Sequence, residues 1–154
     1  MIKKLLKHLL KNLLVNDKNH KVVDEVRENS DVDIREERKN MFIAYSKDSN
    51  EEVGELCLRS SEDNYLQIGA FHVKESEREK GIGRDLINKA IEIGSSRGVK
   101  ELIVYPCRED YENEKPVEVE DLYKIYKKLD FRFENEEDEN DEKKPNHKMV
   151  RKIK

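Results

Sequence analysis

The chain has 154 residues, the length of one ordinary domain. Apolar residues make up 35% of it and charged residues 43%, against about 45–50% and about 25% in typical globular chains. The 31 basic and 35 acidic residues nearly cancel to a net charge of −4, which argues against a nucleic-acid partner held by basic excess.

The charge is uneven, with 18 charged residues in the first 40, 13 in the last 21, and only 13 in the 41 from Tyr65 to Tyr105. A core-forming centre is therefore present. No apolar run approaches the roughly 18 residues that span a bilayer. Lysines break the leucine-rich start every three or four residues, which disfavours a secretion signal. Cys57 and Cys107 form no CxxC, so neither a disulfide framework nor a structural metal site is expected, and a reducing, cytoplasmic setting fits.

Ile2, Leu5, Leu6, Leu9, Leu10, Leu13 and Leu14 follow helical spacing, with Lys3, Lys4, Lys7 and Lys11 opposite. Residues 1–20 thus read as a basic amphipathic helix, packed on a domain of residues 21–154 in preference to a membrane surface or partner. Membrane contact through residues 1–16 is the less favoured alternative. Val22, Val23 and Val26, then Val32 and Ile34, suit short strands or turns. Met41–Ser46 and Val53–Leu58 read as strands, and Tyr65–Val73, uncharged over nine residues, as an interior strand. A glycine loop leads to a helix from Arg84, striped by Leu86, Ile87, Ala90, Ile91 and Ile93 and capped by Gly98. Glu101–Tyr105 is the next strand, so the centre has the form of a parallel βαβ unit. A polar loop over Cys107–Glu118 follows. Val119–Leu129 reads as a helix with Leu122, Ile125, Tyr126 and Leu129 on its apolar face. Phe131–Phe133 and Lys148–Ile153 form a closing hairpin around an acidic stretch expected to be a solvated tip.

The informative feature is Arg78-Glu79-Lys80-Gly81-Ile82-Gly83 between a strand and a helix. Two glycines there let the backbone turn tightly and gather N–H groups at the helix's positive end, which suits a diphosphate. A Walker A loop needs GK[ST], and here Arg84-Asp85 follows the second glycine. A dinucleotide fingerprint needs a third glycine, and Leu86 stands there.

Val73, Arg78, Gly81 and Gly83 instead form V-x-x-x-x-R-x-x-G-x-G. This resembles motif A of the Gcn5-related N-acetyltransferase (GNAT) family. Leu122–Phe131 resembles that family's "lYeklGF" helix end, with Tyr126 and Phe131 at the tyrosine and phenylalanine. The resemblance covers roughly Met41 to Ile153. It implies an α/β (α+β) acyl-CoA N-acyltransferase fold, with a mixed, mostly antiparallel sheet of six or seven strands flanked by helices. The implied activity is transfer of an acetyl group from acetyl-CoA to a primary amine, on a small molecule or a protein, by direct attack in a ternary complex without metal.

Carried over residue by residue, Phe71, His72 and Val73 would meet the pantetheine arm and acetyl group. Arg78, Glu79, Lys80, Gly81, Ile82, Gly83 and Arg84 would meet the diphosphate, and Tyr126 would protonate the CoA sulfur. For a base, Glu55 is a carboxylate among apolar neighbours; His72, set by alternation with Leu66, Ile68 and Ala70, reads as half-buried; Cys107 lacks an activating neighbour. Water is a further option. The chain departs from the family at Asp130, where glycine is usual, at Glu75, often proline, and at Val119, near which an asparagine is common. It also carries about ten more residues than usual before the last helix. Two alternatives stay open: a catalytically degenerate acyl-CoA-binding module, and a protein recruited through its N-terminal helix. A homodimer is compatible with the sequence.

Overall fold

The computed structural model describes residues 30–60 and 64–153. The helix predicted over residues 1–20, and Val22, Val23 and Val26, lie outside them. Among the described residues no helix is long and apolar enough to cross a membrane. The strands there are β1 (Val32–Arg38), β2 (Met41–Ser46), β3 (Glu52–Ser60), β4 (Tyr65–Val73), β5 (Glu101–Val104), β6 (Arg132–Phe133) and β7 (Met149–Lys152). Helix α1 (Ile82–Ser96) joins β4 to β5, and α2 (Val119–Lys128) precedes β6.

The strands form one sheet in the order β1-β2-β3-β4-β5-β7-β6. Every neighbouring pair is antiparallel except β4 and β5. This is the expected mixed sheet around a βαβ unit, and the seventh strand is β1, where Val32 and Ile34 had suggested strand or turn. Leu56 and Leu66 meet Leu86 and Ile87 of α1 in a core that also holds Leu102, Phe131 and Met149. Each such leucine contributes about 2 kcal/mol by leaving water, which is how a chain this polar folds around its uncharged centre.

Two details of β4 decide where a ligand could lie. Cys57 pairs with Ala70 while Leu58 pairs with Ile68, so Gly69 is an extra residue in β4. This bulge reverses the alternation beyond it. Phe71, not Ala70, continues the buried side begun by Leu66 and Ile68. His72 is half-buried as expected, but it shares its face with Gln67 and Ala70, not with Leu66 and Ile68. The second detail is that β4 and β5 pair only from Tyr65–Gln67 to Glu101–Ile103. Beyond that β4 runs on to Val73 while β5 stops at Val104 before Pro106. The two parallel strands part, and the β5-facing edge of β4 has no ladder partner there.

Helix α1 starts at Ile82, two residues before the predicted Arg84, so Gly83 lies inside its first turn. Its other end closes as expected, with Gly98 at φ 70° and Val99 N donating to Gly94 O at 2.8 Å. On α2 the buried side is Val119, Leu122, Tyr123 and Tyr126, while Ile125, predicted to be apolar-facing, is 37% exposed. Tyr123 replaces it because the face is turned toward the β6–β7 connection.

Candidate active site

The glycine loop positions the amino end of α1. Glu79 takes φ 64° and Gly81 φ 82°, and Gly81 is the N-cap without any side-chain cap. The first helical bond runs from Asp85 N to Gly81 O at 3.1 Å. The amides of Ile82, Gly83 and Arg84 therefore precede the helical ladder and crowd at its positive end. Gly83 allows α1 to approach the sheet, since a Cβ there would lie 3.1 Å from Phe71 Cζ.

The cationic side chains of the loop point elsewhere. Arg78 Nε donates to Val73 O at 2.9 Å and its guanidinium lies 3.5 Å from Glu114. Lys80 pairs with Glu77 at 2.9 Å. Arg84 donates to Lys128 O at 2.6 Å, tying the start of α1 to the end of α2. Arg78 thus braces the end of β4, and it is the backbone amides that the loop offers to a ligand.

Tyr126 lies beside this junction. Phe131 N donates to Tyr126 O and Asp130 N to Lys127 O, at 3.0 and 3.1 Å, with Asp130 at φ 67°. This is a Schellman closure, which brings the residue at the helix's third-last position against the one two beyond its cap. Those residues are Tyr126 and Phe131, whose ring centroids lie 5.3 Å apart. Aspartate tolerates the left-handed conformation that glycine usually fills. The Tyr126 ring also lies 5.7 Å from Phe71. Burial, reinforced by the charge of Glu109 and by Tyr111 and Cys107, raises the Tyr126 phenol well above its ordinary range, so it keeps its proton.

The Cys107–Glu118 loop folds back over the end of β4. Glu114 accepts from Glu75 N at 2.8 Å and meets His72 Nε2 at 3.1 Å. Tyr111 stacks on the His72 ring at 3.6 Å and donates its hydroxyl to Glu109 at 3.3 Å. Burial lowers His72, against the opposing pull of Glu114. Burial also pushes the Glu109 carboxyl up to about 7, with Glu55 adding and Tyr111 and Arg78 opposing. Glu55 is half-buried on β3, directly across from His72. The predicted residues of β4, the glycine loop and Tyr126 therefore converge. Glu109, Tyr111 and Glu114 were not singled out by sequence, because an exposed-looking, highly charged loop carries no periodic signal. Cys107 is exposed.

The acidic stretch after β6 is more ordered than a solvated tip. Tyr123 donates its hydroxyl to Lys144 O and accepts from His147 N. His147 lies 3.3 Å from Asp138, and Lys127 pairs with Glu142 at 2.7 Å. Among the described residues no group of three or more His, Cys, Asp or Glu side chains could hold a metal ion.

A mostly antiparallel sheet whose single parallel pair opens beside a glycine-capped helix defines the acyl-CoA N-acyltransferase fold. The model of the acetyltransferase (GNAT) family matches residues 3–131, and the chain belongs to this family of acetyltransferases. No curated protein matches the sequence. Among solved structures, a GNAT-family acetyltransferase from Staphylococcus aureus Mu50 is 17% identical with a TM-score of 0.55, over 74% of this chain and 67% of that one. An aminoglycoside 6'-N-acetyltransferase complexed with coenzyme A is 20% identical with a TM-score of 0.55, over 75% and 74%. N-acetylglutamate synthase from Neisseria gonorrhoeae, complexed with coenzyme A and N-acetyl-glutamate, is 13% identical with a TM-score of 0.56, over 80% of this chain but 29% of that one. At such identities the likeness is one of fold.

Proposed function

We propose that this protein transfers an acetyl group from acetyl-CoA to a primary amine in the cytoplasm, by direct attack in a ternary complex. The observation that carries the reading is the parting of β4 from β5 beside the uncapped start of α1. A diphosphate would rest on the amides from Gly81 to Arg84, where the helix end favours negative charge without a cationic side chain. The pantetheine arm would lie along Phe71–Val73, bonding to backbone groups that β5 leaves unpaired, apart from Val73 O, which Arg78 holds. Coenzyme A bound to two structures of the same fold supports a coenzyme A ligand for this chain.

Tyr126 would hold its proton toward the departing sulfur. A phenol kept neutral by burial suits that role, since it offers a donor where charge develops on the thiolate. The amine must give up a proton before it attacks, which calls for an acceptor at the cleft.

Gly81→Asp tests the binding site without unfolding the helix. Aspartate enters the left-handed region at modest cost and its charge favours a helix start, yet it opposes a diphosphate. Calorimetric titration should show acetyl-CoA binding weakened at least about tenfold, with circular dichroism unchanged. Tyr126→Phe should lower kcat for amine acetylation by about a hundredfold and leave acetyl-CoA binding intact. Unaltered binding by Gly81→Asp would remove the site assignment.

A further inference from the structure

We propose that Glu109 is the group that takes the proton from the incoming ammonium, held in place by Tyr111, His72 and Glu114; this rests on the acetyl-transfer reading above. Glu109 leaves the β5 side of the gap between the parting strands, whereas Glu55 lies one strand beyond β4. Its backbone is fixed on both sides, since Glu109 N donates to Val117 O at 3.1 Å and Val117 N to Glu109 O at 2.9 Å. One carboxylate oxygen accepts the Tyr111 hydroxyl. Among the described residues no other hydrogen bond and no ion pair engages the Glu109 side chain, so it is a partly buried carboxylate without a salt bridge.

The groups around it fit the assignment. Arg78, the cation that acts on Glu109, is already committed to Val73 O and Glu114. From β3, Glu55 adds like charge that makes Glu109 more basic. From β4, His72 is turned to Glu114 by its Nε2 and covered by the Tyr111 ring. It is thereby occupied as a support. Glu114 also holds the Glu75 amide, so loop and strand end form one braced unit. From α2, Tyr126 lies within the electrostatic reach of Glu109, Tyr111 and Cys107, so a proton donor and a proton acceptor share the site. A carboxyl that burial has brought near neutrality is matched to this task.

The proton balance is complete. The ammonium gives one proton to the Glu109 carboxylate, and the freed nitrogen lone pair attacks the thioester carbon. A C–N bond forms and the C–S bond breaks. The second nitrogen proton reaches the sulfur through Tyr126, and Glu109 releases its proton to water.

The experiment compares wild type, Glu109→Gln and Glu55→Gln with acetyl-CoA and four acceptors, spermidine, benzylamine, lysine and hydroxylamine, from about pH 5 to about pH 9. Hydroxylamine is unprotonated at neutral pH and needs no base. Glu109→Gln should lower kcat/KM for the three alkylamines by about a hundredfold or more and abolish the limb near pH 7. With hydroxylamine its loss should stay under about tenfold, while Glu55→Gln should keep the limb. An equal loss with hydroxylamine would show a structural role, and an intact limb in Glu109→Gln would remove the assignment. A ligand-free check is carboxyl carbon NMR, in which one glutamate should titrate near neutrality in wild type and vanish in Glu109→Gln; its absence overturns the proposal. If wild type acetylates none of the acceptors while that titration is present, the acetyl-transfer reading falls first, and the assignment with it.

Discussion

Replacing Glu109 by glutamine removes a charge but keeps an oxygen for the Tyr111 hydroxyl, which lies 3.3 Å away in the native protein. Burial moves the Glu109 carboxyl from the ordinary 4.5 up to about 7. Between those values the folded protein keeps a proton that the unfolded chain has released. Raising the pH through this window therefore favours unfolding, and the loss is complete above the folded value. An ion-paired carboxylate would have the opposite sign. The whole interval corresponds to about 3 kcal/mol, but solvent still reaches the half-buried carboxyl and screening reduces this to about 1 kcal/mol. His72 runs the other way, because burial lowers it and its contribution grows as it loses its proton. It is present in both proteins and cancels in their comparison. Urea unfolding followed by far-ultraviolet circular dichroism at about pH 5 and about pH 8 measures the effect. The two proteins should be nearly equal at the acid end, where glutamine replaces a neutral acid, and the variant more stable by about 1 kcal/mol at the alkaline end. A difference that does not change with pH would make Glu109 an ordinary carboxylate and refute the burial argument.

Two further changes probe the frame of the site. Asp130→Gly should raise stability by about 0.5 kcal/mol, since φ 67° costs an aspartate more than a glycine. The ion pairs it gives up, at 3.8 and 4.0 Å to Arg84 and Arg151, are long and solvated at their Asp130 end, hence weak; a lower urea midpoint would show that they matter more. Tyr123→Phe should cost about 1–2 kcal/mol through the lost bonds to Lys144 O and from His147 N. It should also speed proteolytic cleavage within residues 134–144, and unchanged cleavage would mean that Tyr123 does not anchor that connection.

What could be read along the chain was what local physics decides. The strands Met41–Ser46 and Tyr65–Val73 occur with those ends, because uncharged runs bounded by turns leave few other solutions. The spacing of Tyr126 and Phe131 was legible through the family resemblance, and the structure shows that a Schellman closure sets it within six residues of sequence. The base was not legible. Gly69 looks like any glycine in a strand, yet its bulge decides which side of β4 His72 faces. Ile125 is the more apolar of the pair, yet the β6–β7 connection, which bonds the Tyr123 hydroxyl, selects Tyr123 for burial.

Glu109 combines these difficulties. Its surroundings come from β3, β4, the glycine loop and α2, separated by up to about seventy residues of chain, and no short window contains them. Composition even points the wrong way, since Cys107–Glu118 reads as one more charged surface loop in a chain that is 43% charged. Folding that loop onto the end of β4 withdraws two of its many carboxylates, Glu109 and Glu114, from water. The surplus of surface charge and the scarcity of core are therefore linked at the site: a small domain with little apolar area covers its cleft with polar residues, and of the two loop carboxylates Glu114 meets His72 and Arg78 while Glu109, without a counter-ion, is made basic by burial. Family membership fixes the fold and the place of the glycine loop, whereas the proton acceptor depends on this chain's own lengthened connection between β5 and α2.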